Sequence, residues 1–227
     1  MIGASIAAAV LIITFVGFSE ISHETELTIE EIPKGQEIGP QEVTINTFLE
    51  NGSPILGKSD APITLVEFGD YQCHFCNVFF HSTEHEILKN YVETGKVRML
   101  FKDYNIIGPD SISASHGAHC AKDQNLFWEY HDILYSNWTG ENNGWASSEN
   151  LIRFAQEIKL DMNQWSECMQ NANHSKTILA SNNDARALGL SGTPAFFIIG
   201  PDEKVTRVFG AQPYETFEKI FETELKK

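Results

Sequence analysis

Ile63-Thr64-Leu65-Val66-Glu67-Phe68-Gly69-Asp70-Tyr71-Gln72-Cys73-His74-Phe75-Cys76 is the stretch on which the fold turns. Its first six residues are apolar and β-rich with a single acid among them, the composition of a strand buried on both faces. Gly69-Asp70-Tyr71-Gln72 ends that strand. Beyond Cys73 the period changes: Phe80, Ile87, Leu88 and Tyr91 recur at i, i+7, i+8 and i+11, on one face of a helix running to about Thr94, and Gly95 closes it. Residues 97–101 read as a second central strand. Strand, helix and strand together define an α/β unit with the two cysteines at the first strand-to-helix junction.

That junction is a place where cysteine chemistry is favoured. A sulfur at the start of a helix faces unpaired N–H groups and the positive end of the helix dipole, and both stabilise thiolate over thiol. Cys73 is therefore the expected nucleophile. Cys76, one turn deeper, can close a disulfide with it and can release a partner from a mixed disulfide. His74, when protonated, adds a second cation beside the thiolate. A competing reading makes Cys73 and Cys76 half of a zinc site completed by His74 or by the i, i+4 pair His81 and His85. Against it, Cys120 and Cys168 stand alone and supply no second ligand pair, and His81 and His85 fit a solvated helix face.

Outward from this unit, residues 111–188 read as helical throughout, in segments 111–137, 147–158, 161–171 and 175–188. Pro194-Ala195-Phe196-Phe197-Ile198-Ile199, a Pro201-Asp202 turn, a strand over 204–209 and a helix with Phe217, Ile220, Phe221 and Leu225 on one face complete the chain. Upstream, Val43-Thr44-Ile45-Asn46-Thr47-Phe48 alternates like a strand, and the folded domain is expected to start near residue 43.

Residues 20–50 carry eight Glu and one Lys, broken by Pro33, Gly35, Gly39 and Pro40, so residues 20–42 read as an extended acidic tether. Residues 1–19 hold no charged side chain, and the apolar run 2–18 is near the lower limit for crossing a bilayer as a helix. It reads as a membrane anchor or as a signal peptide cleaved near Ser19, and either exports the remainder. In that compartment disulfides persist, and Cys120 with Cys168 is expected to form a structural disulfide within the helical segment; two separate thiols or a second redox relay are the alternatives. The formal net charge of −15 over 227 residues argues against nucleic acid or an anionic membrane surface as partner.

The run from Val66 to Cys76, the helical insertion and Gly192-Thr193-Pro194 resemble the DsbA-like branch of the thioredoxin superfamily, over roughly residues 43–227. The resemblance implies an α/β, thioredoxin-like fold with a helical insertion at about residues 105–188, and a protein thiol:disulfide oxidoreductase without cofactor or metal. It implies that the Thr193-Pro194 peptide is cis, lies against the redox disulfide and offers backbone pairing to a substrate peptide. It also makes Glu67 the buried acid beneath the disulfide, which exchanges a proton with the deeper cysteine; a strand-end acid reaching solvent is the alternative. The implied partners are exported proteins with cysteines and a membrane redox partner of the DsbB or vitamin K epoxide reductase type. His74 and Phe75 depart from the dipeptide of the best-known member, which leaves open reduction or isomerisation by the same centre, and a non-catalytic client- or metal-binding adaptor is a further alternative.

Overall fold

The computed structural model describes residues 43–227; the apolar segment and the acidic tether expected over 1–42 lie outside the described residues. The sheet grows from β1 (Ile63–Gly69), every residue of which is buried. It pairs parallel to β2 (Val97–Asp103) and antiparallel to β3 (Ala195–Ile199), and β3 pairs antiparallel to β4 (Val205–Phe209), giving the order β2-β1-β3-β4. Side chains along β1 alternate between two apolar layers, as the period of two requires. Ile63 and Leu65 join Met99, Phe196 and Ile198 beneath one set of helices, whereas Val66 and Phe68 join Leu100, Phe197 and Ile199 on the opposite face.

The helix after Cys73 covers the first face, but it is not straight. It runs as α2 (His74–Phe79), a π turn (Phe80–Glu84), α3 (His85–Ile87) and a second π turn (Leu88–Val92). Phe79, Ile87 and Tyr91 pack on the sheet together with Phe217 and Phe221 of α9 (Tyr214–Glu224). Fully burying each such side chain contributes roughly 1.5–3 kcal/mol.

Two sequence expectations fail in instructive ways. Residues 43–48 do not form a strand: α1 (Ile45–Leu49) takes their place, its start held by the Thr44 N–H donating to Thr47 Oγ1 at 3.1 Å. The outer edge of β2 is already occupied, since Ser53 N donates to Phe101 O and Leu56 exchanges both backbone bonds with Met99. Phe48 instead packs its ring 5.0 Å from Phe197. The single helix expected over 111–137 is two, α4 (Pro109–Lys122) and α5 (Phe127–Ser136). Asn125 adopts a left-handed φ of 61° between them, and Leu126 N returns to Ala121 O, so the chain reverses and lays Phe127, Tyr130 and Leu134 into one cluster with Ala114, Ala118 and Ala121.

Two helices follow in that layer, α6 (Ser148–Glu157) and α7 (Met162–Gln170), capped by Ser147 and Asp161 as their side chains allow. Then α8 (Ser175–Ala187) returns to the sheet, where Ala185 packs beneath Val66 and Phe68. Cys120 of α4 and Cys168 of α7 are joined by a disulfide with Cα atoms 5.8 Å apart. Lys102 of β2 is buried: its Nζ donates to the Thr47 and Glu50 carbonyls and lies 2.7 Å from Asp184 Oδ2, tying α1, β2 and α8 together. Among the described residues no helix is long and apolar enough to cross a membrane.

Candidate active site

The apolar cluster of the helical layer reaches Tyr71, Cys73, Cys76 and Phe80, so the cysteine pair lies where that layer meets the end of β1. The turn that delivers it is held by Asp70. Its Oδ1 accepts from Gln72 N at 2.8 Å, its Oδ2 accepts from Ile106 N and Ile107 N at 2.8 and 3.0 Å, and its backbone carbonyl accepts from Cys73 N at 2.9 Å. Asp70 thus locks the β1–α2 turn to the loop after β2. Sequence reading left Asp70 as a turn residue, although an aspartate bonding its own backbone two residues on is the signal that marks it. Gly69 is needed beside it, since a Cβ there would meet the Phe101 ring at 2.4 Å.

Cys73 is the N-cap of α2 and Cys76 sits at N3. Both are free thiols and both are buried, Cys76 completely and Cys73 to 4% exposure. Their environments drive them apart. The Cys73 thiol is lowered to about 6, chiefly by the hydrogen bond from the Cys76 thiol; burial opposes this, and the Cys76 and Phe75 amides add to it. Burial pushes the Cys76 thiol well up, reinforced by its bond to Cys73 and by the charges of Cys73 and Glu67.

The Thr193-Pro194 peptide is cis, and the Thr193 carbonyl accepts from Cys73 Sγ at 3.3 Å. Glu67 lies on β1 with 1% exposure, its Oε2 without a hydrogen-bond partner. It does not reach solvent. Burial, then the Glu84 and Cys73 charges, raise its carboxyl well above the ordinary range.

His74 is placed differently from these. It is exposed, its backbone N–H donates to Glu141 Oε1 at 2.9 Å, and its ring lies 5.6 Å from Trp138. Glu141 and Trp138 belong to the loop between α5 and α6, which is fastened over the motif by Trp138 Nε1 donating to Gln72 O and Asn142 N donating to Gln72 Oε1, each at 2.9 Å. Sequence reasoning missed this loop, because no local spacing links it to the motif. Phe75 projects outward with 59% exposure. His81 and His85 are also exposed, and among the described residues no cluster of three metal-ligating side chains includes Cys73 or Cys76.

A dithiol capping the helix after a central strand, faced by a cis-proline loop, defines a thioredoxin-type redox centre. The chain belongs to the Thioredoxin family, whose profile matches residues 50–223. It is similar to the "Probable disulfide bond formation protein D" of Bacillus anthracis, 28% identical over 180 residues covering 76% of this chain and 78% of that protein. It is likewise similar to the "Disulfide bond formation protein D" of Bacillus subtilis, at 26% over 178 residues, 77% of this chain and 78% of the other. Among solved structures, oxidised BdbD from Bacillus subtilis superposes with a TM-score of 0.69 and 25% identity over 77% of this chain and 94% of that one. Wolbachia pipientis alpha-DsbA1 shares the fold at a TM-score of 0.69 and 22% identity, covering 80% and 96%. The chain is a DsbA-like thiol:disulfide oxidoreductase.

Proposed function

We propose that the chain works outside the cytoplasm and oxidises cysteine pairs of exported proteins. In its oxidised form a substrate thiolate attacks Cys73 Sγ, the Cys73–Cys76 bond breaks, and the Cys76 sulfur leaves with the electron pair. Glu67, whose buried carboxyl is raised well above the ordinary range, hands a proton to Cys76. A second substrate thiolate then attacks the substrate sulfur of the mixed disulfide, and Cys73 departs as thiolate. Two electrons have passed from the substrate thiols to the pair, and the substrate holds a disulfide. A membrane quinone-linked protein of the DsbB or vitamin K epoxide reductase type takes the electrons on. Residues 2–18 export or anchor the chain.

The observation that carries the direction is Cys73 at the N-cap of α2 with Cys76 at N3, a placement in which its thiol is lowered to about 6. A thiolate stabilised this far favours the reduced pair and leaves readily, which makes the disulfide oxidising. Cys73 is the nucleophile, Cys76 the resolving sulfur, and His74 adds positive charge at the rim when protonated. Thr193 and Pro194 offer backbone pairing to the substrate segment, and the exposed ring of Phe75 suits an unfolded chain. Equilibration in glutathione buffers tests the direction. A midpoint above that of protein disulfide isomerase, about −180 mV, is expected, and one at the thioredoxin value of about −270 mV would refute an oxidase while leaving exchange intact.

A further inference from the structure

Beside the cysteine pair, α5 and the first π turn bring together three side chains that take no part in the exchange steps, Glu84 bearing on them only through its charge on Glu67. The His131 imidazole and the Glu84 and Asp132 carboxylates each offer a ligand atom, and these atoms all lie within 4.8 Å of one another. His131 is fully buried, Glu84 is 1% exposed and Asp132 reaches the surface. Both Glu84 oxygens and His131 Nε2 lack a hydrogen-bond partner. Nε2 and Glu84 Oε1 stand 3.7 Å apart, too far for a hydrogen bond. Burying a carboxylate and an imidazole nitrogen face to face without bonding them is expensive unless something sits between them.

We infer that Glu84, His131 and Asp132 form a binding site for one divalent metal ion of the zinc class. Ligand bonds of about 2.0–2.2 Å to a shared ion leave neighbouring donor atoms roughly 3–4 Å apart, which matches the separation of Nε2 and Oε1. The other imidazole nitrogen is engaged, with Nδ1 3.1 Å from the Tyr71 hydroxyl. Donation of the Nδ1 proton to that oxygen leaves the Nε2 lone pair facing Glu84, the arrangement in which metal-binding histidines are held. Two carboxylates balance the charge of a divalent ion. The nitrogen and oxygen donors suit zinc, cobalt or manganese better than the all-oxygen preference of calcium or the sulfur preference of copper(I). Asp132 at the surface gives an entry path.

Local sequence explains how Glu84 comes to face inward. It closes the π turn Phe80–Glu84, whose wider register turns Thr83 and Glu84 to the core while His81, Ser82 and His85 stay exposed. π turns of this kind recur at functional sites. Among the described residues the other cluster of ligand-type side chains, Cys120, Cys168 and His174, has its sulfurs spent in the disulfide.

The test uses the full chain with both cysteine pairs oxidised, so that no thiol binds metal. Calorimetric titration with zinc chloride should show one equivalent bound, and cobalt(II) should give ligand-field absorption of a nitrogen- and oxygen-bound ion. Asp132→Asn, at the surface and so not expected to disturb folding, should weaken zinc at least about tenfold, as should Glu84→Gln. Zinc should raise the melting temperature of the parent and not that of Asp132→Asn. Absence of binding overturns the inference. So does binding that survives both substitutions, or that is lost only when His81 and His85 are replaced by Gln.

Discussion

The Cys73 sulfur and the Thr193 carbonyl oxygen lie 3.3 Å apart although 120 positions separate them in the chain. This contact closes the site over the sulfur proposed as nucleophile. It leaves the identity of the reactive sulfur to the helix terminus and to Cys76, which supplies the largest share of the lowering at Cys73. In the reduced protein, iodoacetamide should modify Cys73 at a rate that is level at neutral pH and falls tenfold per unit below about 6. A depressed thiol stabilises the folded reduced form fully above the ordinary thiol range, and that stabilisation is lost as pH falls through about 6. Cys76→Ala should move the alkylation midpoint upward; an unchanged midpoint would contradict the role given to the Cys76 thiol.

Glu67 gives a pH dependence of the opposite sign. Its carboxyl is raised in the folded state, so the native protein keeps a proton that the unfolded chain loses near the ordinary value of about 4.3. Stability from this group is complete below that value and declines as pH rises until the buried carboxyl ionises. Glu67→Gln should therefore be the more stable form near pH 8, with little difference near pH 4. Urea denaturation of the oxidised proteins at both pH values measures it.

The Cys120–Cys168 disulfide closes a loop of 48 residues. In the chain-entropy account a loop of that length is worth about 4 kcal/mol, and native bridges commonly return about 2–4. Cys120→Ala/Cys168→Ala should lose that much against denaturant while the pH profile of Cys73 alkylation is preserved. A shifted profile would tie the bridge to the redox centre.

Lys102 and Asp184 form an ion pair with side chains 0% and 3% exposed. Burial lowers the Lys102 ammonium, and Asp184 partly restores it. Replacing one member of a buried pair costs about 3–5 kcal/mol, whereas replacing both with apolar residues is much less damaging. Thermal melts of Lys102→Met and of Lys102→Met/Asp184→Leu should differ accordingly, the double variant melting higher.

The strand–helix–strand unit was legible because its signals are local: an apolar run of period two, a glycine-aspartate stop, and an apolar stripe of helical period behind the two cysteines. The same locality misled at residues 43–48, where alternation looked like a strand while residues 53–56 already held the edge of β2. It also concealed the break at Asn125, since a left-handed residue leaves little mark on hydrophobic spacing. Asp70 was visible as a turn residue but not as the clamp between two loops.

By itself the sequence determined the type of fold and the helix terminus that carries Cys73, because each depends on neighbours a few positions away, whereas it left Glu67 open between a buried acid and one reaching solvent, and burial decided it. Thr193 against Cys73 was expected from the family resemblance and Cys120 with Cys168 from compartment and number, and the structure shows both contacts; tertiary structure alone decided that the Trp138–Glu141 loop covers the motif and that Glu84 confronts His131. Those meetings arise from how layers pack, and packing brings together residues whose separation along the chain carries no period to read.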